Sequence, residues 1–178
     1  MGKRLFYWEL GAFAASAALG TLLHFVYEWS GGSPWAAAVS AVNESTWEHM
    51  KILYTAIFAV SLVQLGLLGK NYPGLPAVRA VSALTATALI PALYYTYLGI
   101  WGKRTLWAGI AVFMMAAAGG FLVDYRLLRR GRLSRPWMQA VGLAVWWGAL
   151  FLFVWWTFRP PHIPLFRDPV TLEYGIPH

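Results

Sequence analysis

The sequence predicts an all-α integral membrane protein, built as a bundle of five transmembrane helices. Hydrophobic residues make up 59% of the 178 residues, and charged residues make up only 12%. A soluble domain carries about 25% charged residues, and a chain of this length cannot bury so much apolar surface. Five apolar segments are each long enough to cross a bilayer, which requires about 20 residues. These observations exclude an ordinary cytosolic enzyme and a disordered chain.

The five predicted spans are separated by segments whose residues are rare inside helices. Three of these segments contain Gly, Pro or Asn, and the fourth is a basic loop from Arg126 to Pro136. In chain order, the predicted spans are Leu5–Tyr27, Trp47–Gly69, Val78–Gly99, Thr105–Val123 and Pro136–Phe158.

Two further segments are apolar without being long enough to span a membrane. Pro34 to Val42 is predicted to be a short interfacial or re-entrant helical piece on the outer face. The segment from Arg159 to His178 contains five prolines, and its apolar side chains favour a cap folded over the outer end of the bundle. A mobile extension is the alternative. The predicted organisation is therefore a bundle over residues 1–158 and an extracytoplasmic cap over residues 159–178.

The distribution of the net charge of +7 predicts the orientation. With a cytoplasmic N-terminus and an extracytoplasmic C-terminus, nine of the 14 Lys and Arg residues lie inside. The excess thus indicates a multi-pass protein of the plasma or inner membrane, not a nucleic-acid partner. Glu9 and Asp124 are expected to pair with basic neighbours near the cytoplasmic ends. The predicted cytoplasmic basic residues are Lys3, Arg4, Lys70, Arg79, Arg126, Arg129, Arg130, Arg132 and Arg135.

In this topology the polar residues that could carry chemistry collect at the outer end. Ionisable groups near a membrane are costly to bury, so a one-sided cluster indicates a candidate functional site. The chain has no cysteine, which excludes thiol catalysis and iron–sulfur ligation. The candidate catalytic residues are His24, Glu28, Glu48, His49 and Lys51. The candidate substrate-pocket residues are Asn43, Glu44, Trp47, His162, Asp168 and Tyr174.

The spacing of these residues predicts two shared helix faces. His24 and Glu28 are four residues apart at the end of the first span. Glu44, Glu48, Lys51 and Thr55 fall on one stripe if the second helix begins as early as Glu44. His49 then points about 100° away from Glu48 and need not belong to the same site. The run from Ser45 to Glu48 also fits a capping box, which would only complete the helix start.

Three interpretations of the cluster remain open. It can be a purely structural polar network, because ion pairs often imitate functional sites. It can hold a divalent metal, zinc or iron, with His24, Glu28, Glu44 and Glu48 as ligands. It can perform acid–base chemistry without a metal. The leading hypothesis is an enzyme that acts on a lipid-soluble or membrane-delivered substrate. The alternatives are a small-ion or metal transporter or binding protein, and a membrane scaffold.

Two resemblances rest on the run from His24 to Lys51. His24-Phe25-x-Tyr27-x-Trp29, followed by Asn43-Glu44-Ser45-x-Trp47-Glu48-His49-x-Lys51, resembles the hallmark of a bacterial family of small polytopic membrane proteins of unknown function. The tail, with Pro160-Pro161 and Asp168-Pro169, is similar to that family's C-terminal end. His24-x-x-x-Glu28 is more weakly similar to emopamil-binding-protein-type sterol isomerases. That similarity implies proton transfer on a lipid by a His and acidic groups.

Overall fold

The computed structural model describes residues 2–177 and confirms an all-helical chain with five spanning-length helices. All helices except α2 are long and apolar enough to cross a membrane. A short 3-10 turn follows at Pro164–Phe166. The helices, in chain order, are α1 (Gly2–Trp29), α2 (Pro34–Val39), α3 (Thr46–Leu68), α4 (Leu75–Trp101), α5 (Leu106–Arg129) and α6 (Pro136–Phe158).

The observed helix ends follow the predicted spans closely, with one clear exception. Helix α6 has the predicted bounds, because Pro136 suits the first helical turn and prolines follow the last. Helix α5 continues to Arg129, so the prediction that a loop begins at Arg126 is wrong. Arg126 and Arg129 lie in the last turn of this helix, where cations interact favourably with its negative end.

The segment predicted at Pro34 to Val42 contains a helix of six residues. Helix α2 begins with Pro34 in its first turn and ends at Val39, where Ser40 adopts an extended conformation. The backbone N–H of Ser40 still donates to the Ala36 carbonyl. Ala36 and Ala37 are buried, which fixes this short helix against the bundle.

Helices α3 and α4 form the centre of the bundle. Helix α4 packs against α3, α5 and α6, and α1 packs against α3 and α5. At the crossing of α4 and α6, any side chain at Gly142 would collide with the backbone of Ala77. Close approach at this point therefore requires glycine, as is common where membrane helices pack tightly.

An aromatic core fills the middle of the bundle. Tyr54 and Phe58 on α3 pack against Trp146 and Phe153 on α6, with ring centroids 5.0 Å apart for Tyr54 and Phe153 and 4.5 Å apart for Phe58 and Trp146. The Tyr54 hydroxyl is buried and donates to the Trp146 carbonyl. This layer lies between a polar cluster at the start of α3 and another near its end.

The tail folds over the end of the bundle at which α3 begins. Phe166 is buried and stacks on Trp47, with ring centroids 4.5 Å apart. The amide nitrogen of Asn43 donates to the Gly175 carbonyl over 2.7 Å. Side chains and backbone of the tail therefore fasten the loop that precedes α3.

Candidate functional site

Two histidines and one glutamate meet at the end of the bundle covered by the tail. His24 Nε2 lies 3.4 Å from one Glu44 carboxylate oxygen, and His49 Nε2 lies 3.8 Å from the other. One potential ligand atom from each of the three residues falls within 4.8 Å of the other two. The three side chains are partly open, with exposed fractions of 29%, 32% and 50% for His24, His49 and Glu44. This group is called the His–Glu–His cluster below.

The start of α3 determines where Glu44 points. Ser45 is the N-cap residue, and its hydroxyl accepts from the Glu48 backbone N–H over 3.3 Å. Because α3 begins only at Thr46, Glu44 lies in the preceding loop. The predicted stripe from Glu44 to Thr55 required a helix that begins as early as Glu44, and this condition is not met. Its position in the loop allows the Glu44 carboxylate to reach both histidines.

One hydrogen bond orients His49 towards Glu44. The Nδ1 atom of His49 lies 2.9 Å from the Ser45 carbonyl oxygen, which can only accept. Nδ1 therefore carries the proton, and in the neutral ring the lone pair of Nε2 faces Glu44. Metal-binding histidines are commonly held by such a contact to a backbone carbonyl. His24 is positioned by packing instead, with ring centroids 5.2 Å from both Phe25 and His49.

Glu48 and Lys51 form a separate, closed network. The ammonium of Lys51 lies 2.6 Å from the Glu48 carboxylate, and it also donates to the Ala37 carbonyl over 2.8 Å and to the Thr157 hydroxyl over 2.7 Å. These three contacts use all three donors of the ammonium. Lys51 and Glu48 are 0% and 2% exposed.

The Glu48 carboxylate, like the Lys51 ammonium, is well supplied with hydrogen-bond partners, which reach both of its oxygens. It accepts from the Val42 backbone N–H over 3.0 Å and from the Thr157 hydroxyl over 3.0 Å, in addition to Lys51. Ser45 N–H pairs with the Asn43 side chain over 2.9 Å, so Glu48 does not complete the reciprocal half of the capping box. The network joins α2, α3 and α6. Complete satisfaction and burial favour a structural role for the Glu48–Lys51 pair.

The other predicted site residues lie around this end without joining the His–Glu–His cluster. Glu28 is exposed and forms no ion pair with any other described residue. His162 is exposed, and its ring centroid lies 4.7 Å from that of Tyr174. Trp47 is buried among Phe153, Trp156 and Phe166.

Asp168 links the tail to the loop that carries Glu44. One of its buried carboxylate oxygens accepts from the backbone N–H groups of Val170 and Thr171, over 2.6 and 3.3 Å. The other oxygen accepts from the Glu44 backbone N–H over 3.4 Å. Asp168 therefore supports Glu44 through the backbone of the loop.

A second buried cluster occupies the opposite end of the bundle. The Arg79 guanidinium donates to Glu9 over 2.9 and 3.2 Å, to Asp124, and to the Gln64 side chain over 2.6 Å. Arg79 is buried inside α4 and pairs with Glu9 and Asp124, the two acidic residues predicted to pair with basic neighbours. The sequence feature that could have indicated this cluster is the charged Arg79 within the predicted apolar span Val78–Gly99.

Comparison with known sequences places the chain in a family. A family of unknown function (DUF6512) matches residues 4–176. The chain belongs to this family. The match covers all five spanning-length helices of this DUF6512 protein and most of its tail, and it confirms the predicted resemblance to an uncharacterised family.

The DUF6512 family has no assigned activity. No functionally curated protein and no solved structure matches the chain. The similarity to sterol isomerases and the bacterial origin therefore stay predictions.

Proposed function

We propose that this DUF6512 protein binds a divalent transition metal, most suitably zinc, at His24, Glu44 and His49. The observation that carries the proposal is the convergence of two imidazole nitrogens on one carboxylate, at 3.4 and 3.8 Å. Zinc–nitrogen bonds are about 2.0–2.1 Å long, so tetrahedral ligand atoms lie about 3.3 Å apart. Small adjustments of the three side chains would meet that requirement.

The composition of the cluster favours a reactive metal over a purely structural one. Two histidines and one glutamate leave a fourth position free, which is typical of catalytic zinc sites. A zinc ion held by these residues would lower the pKa of a bound water to generate a nucleophile and would polarise a substrate oxygen. The chain's own contribution is to orient His49 through the Ser45 carbonyl and to hold the Glu44 loop through Asp168.

The surroundings of the cluster support a membrane-delivered substrate. Phe25 and Trp29 are exposed, stack with centroids 5.7 Å apart, and form an apolar surface next to His24. The excess of Lys and Arg predicted for the opposite end supports an orientation with the His–Glu–His cluster outside the cytoplasm. We therefore propose metal-assisted hydrolysis of a lipid-soluble molecule at the outer surface of the plasma or inner membrane.

A membrane scaffold is a second candidate, and the Glu48–Lys51 network supports it. A fully satisfied buried network rigidifies a bundle without any catalytic role. Transport is less well supported, because Tyr54, Phe58, Trp146 and Phe153 pack tightly between the two polar clusters.

Metal analysis tests the proposed function directly. We expect protein purified without chelating resin, then exposed to excess Zn²⁺ and desalted, to retain one zinc per chain. His49→Ala and His24→Ala should reduce the bound zinc to background, since either change removes one of three ligands. The measurement is elemental analysis together with titration of Zn²⁺ against a competing chelator.

Two residues at the same end provide matched controls. His162 and Glu28 are exposed and lie outside the His–Glu–His cluster, so His162→Ala and Glu28→Gln should retain full zinc content. Zinc retained by His24→Ala and His49→Ala at the control level would contradict the proposal, as would wild-type protein without stoichiometric metal.

Asp168→Ala should weaken zinc binding without removing a ligand. The change deletes the acceptor for the Glu44 backbone N–H and for two N–H groups of the tail, so the loop carrying Glu44 loses its support. Loss of such outer contacts typically lowers metal affinity by about 10–100-fold. Chelator competition measures the effect, and the exposed Glu173→Ala in the same tail is the control. Equal affinities for the two variants would show that Asp168 does not support the site.

A further inference from the structure

The cluster around Arg79 is buried at the end of the bundle opposite the His–Glu–His cluster. Arg79, Glu9 and Asp124 are 1%, 3% and 0% exposed, and Gln64 is also buried. They come from four different helices, α4, α1, α5 and α3. The proposed metal chemistry uses none of these side chains.

The charges in this cluster do not balance. One guanidinium faces two carboxyl groups, Glu9 and Asp124, and the other polar contacts come from the neutral Gln64 and Ser82. Helix α6, which packs against α4, carries no ionisable side chain. No second cation contacts the two carboxyl groups among residues 2–177. With both carboxyl groups ionised, the cluster would bury one uncompensated negative charge.

The geometry brings the two carboxyl groups onto the same nitrogen. Nη1 of Arg79 donates both to Glu9, over 3.2 Å, and to Asp124. Two carboxylates that share a site resist simultaneous ionisation, and an unpaired charge inside a membrane protein is expensive. Uptake of one proton removes both costs while keeping the bidentate pair between Arg79 and Glu9.

We propose that Glu9 and Asp124 form a proton-binding site that holds one proton between them at neutral pH, balanced by Arg79. A hydronium ion from the adjacent aqueous phase transfers its proton to one carboxylate oxygen, leaving water and a neutral carboxyl group. No other bond changes. The cluster then carries one positive and one negative charge.

A groove on the surface of the bundle lies next to this site and shares Gln64 with it. The groove has a volume of about 750 Å³ and is lined by α1 and α3, including Lys3, Arg4 and Gln64. The Gln64 amide donates to the Trp8 carbonyl over 3.3 Å, and its oxygen accepts from Arg79 over 2.6 Å. The Gln64 side chain therefore lies between the Arg79 guanidinium and this groove, whose other lining residues on α1 and α3 are mostly apolar.

Infrared spectroscopy of the full chain in lipid vesicles tests the proposal. At neutral pH, the wild-type protein should show the carbonyl stretch of one protonated carboxyl group, which shifts in D₂O. Glu9→Gln and Asp124→Asn should each abolish this band, because the remaining carboxylate is then balanced by Arg79. The amide substitutions imitate the neutral carboxyl group, so both variants should fold.

Glu28→Gln and Glu173→Gln are the controls and should leave the band unchanged, since both residues are exposed and lie at the opposite end. The wild-type spectrum alone decides the first part of the proposal: no protonated carboxyl band at neutral pH would overturn it. A band that survives in both Glu9→Gln and Asp124→Asn would assign the proton to another residue and would overturn it equally.

Discussion

Glu48→Gln should lower the free energy of unfolding by about 3–5 kcal/mol, because it leaves the buried Lys51 ammonium without its counter-charge. Lys51 is 0% exposed, and within the described part of the chain its ammonium contacts only Glu48, the Ala37 carbonyl and the Thr157 hydroxyl. The measurement is denaturant or thermal unfolding of the purified protein in detergent micelles. A change of this size would identify the pair as part of the scaffold.

Two further variants make the first experiment specific. Glu28→Gln removes a carboxylate from the same end at an exposed position, so we expect no measurable change in stability. The double variant Glu48→Gln/Lys51→Met should regain much of the lost stability, since the buried charge is gone. Should Glu48→Gln unfold like the wild-type protein, the structural role would be refuted and a catalytic role for Glu48 would be favoured.

Arg79→Met should be as damaging at the other end of the bundle. The change leaves Glu9 and Asp124 without the guanidinium that donates to both, and it removes a bond to Gln64. Breaking a buried ion pair by removing one partner costs about 3–5 kcal/mol. The free energy of unfolding in micelles measures the loss.

A control variant at another arginine and a combined variant complete this test. Arg130 follows α5 and is exposed, so Arg130→Met should leave stability unchanged. Adding both Glu9→Gln and Asp124→Asn to Arg79→Met should recover part of the loss, because no carboxylate is then buried without its counter-charge. Wild-type stability of Arg79→Met would mean that the cluster contributes little to the bundle.

The spans could be predicted because each of them is a long run of apolar residues in the sequence. Each apolar segment has to satisfy its backbone internally within a membrane, so its length and its breaks are visible in the chain. The end of α5 could not be predicted in the same way, since a helix can continue into water with polar side chains. Arg126 and Arg129 are helical for that reason, although their composition is typical of a loop.

The candidate site was only partly predictable, because its decisive contacts are distant in sequence. Clustering of His24, Glu44, Glu48 and His49 at one end follows from the order of the spans. The division of these residues between two clusters depends on Ser45 as the N-cap and on Thr157, which is 109 positions away from Glu48. No pattern in the sequence indicates that the Thr157 hydroxyl on α6 accepts a hydrogen bond from Lys51.

The docking of the tail on the loop before α3 has a consequence for the order of biosynthesis. Asn43 and Glu44 are made early, yet their partners Gly175 and Asp168 leave the ribosome more than a hundred residues later. During most of translation the five spans can insert while the Glu44 loop is still without these partners. The His–Glu–His cluster therefore gains its full support only after residues 160–176 have been translated, which delays assembly of the proposed metal site until the bundle beneath it is in place.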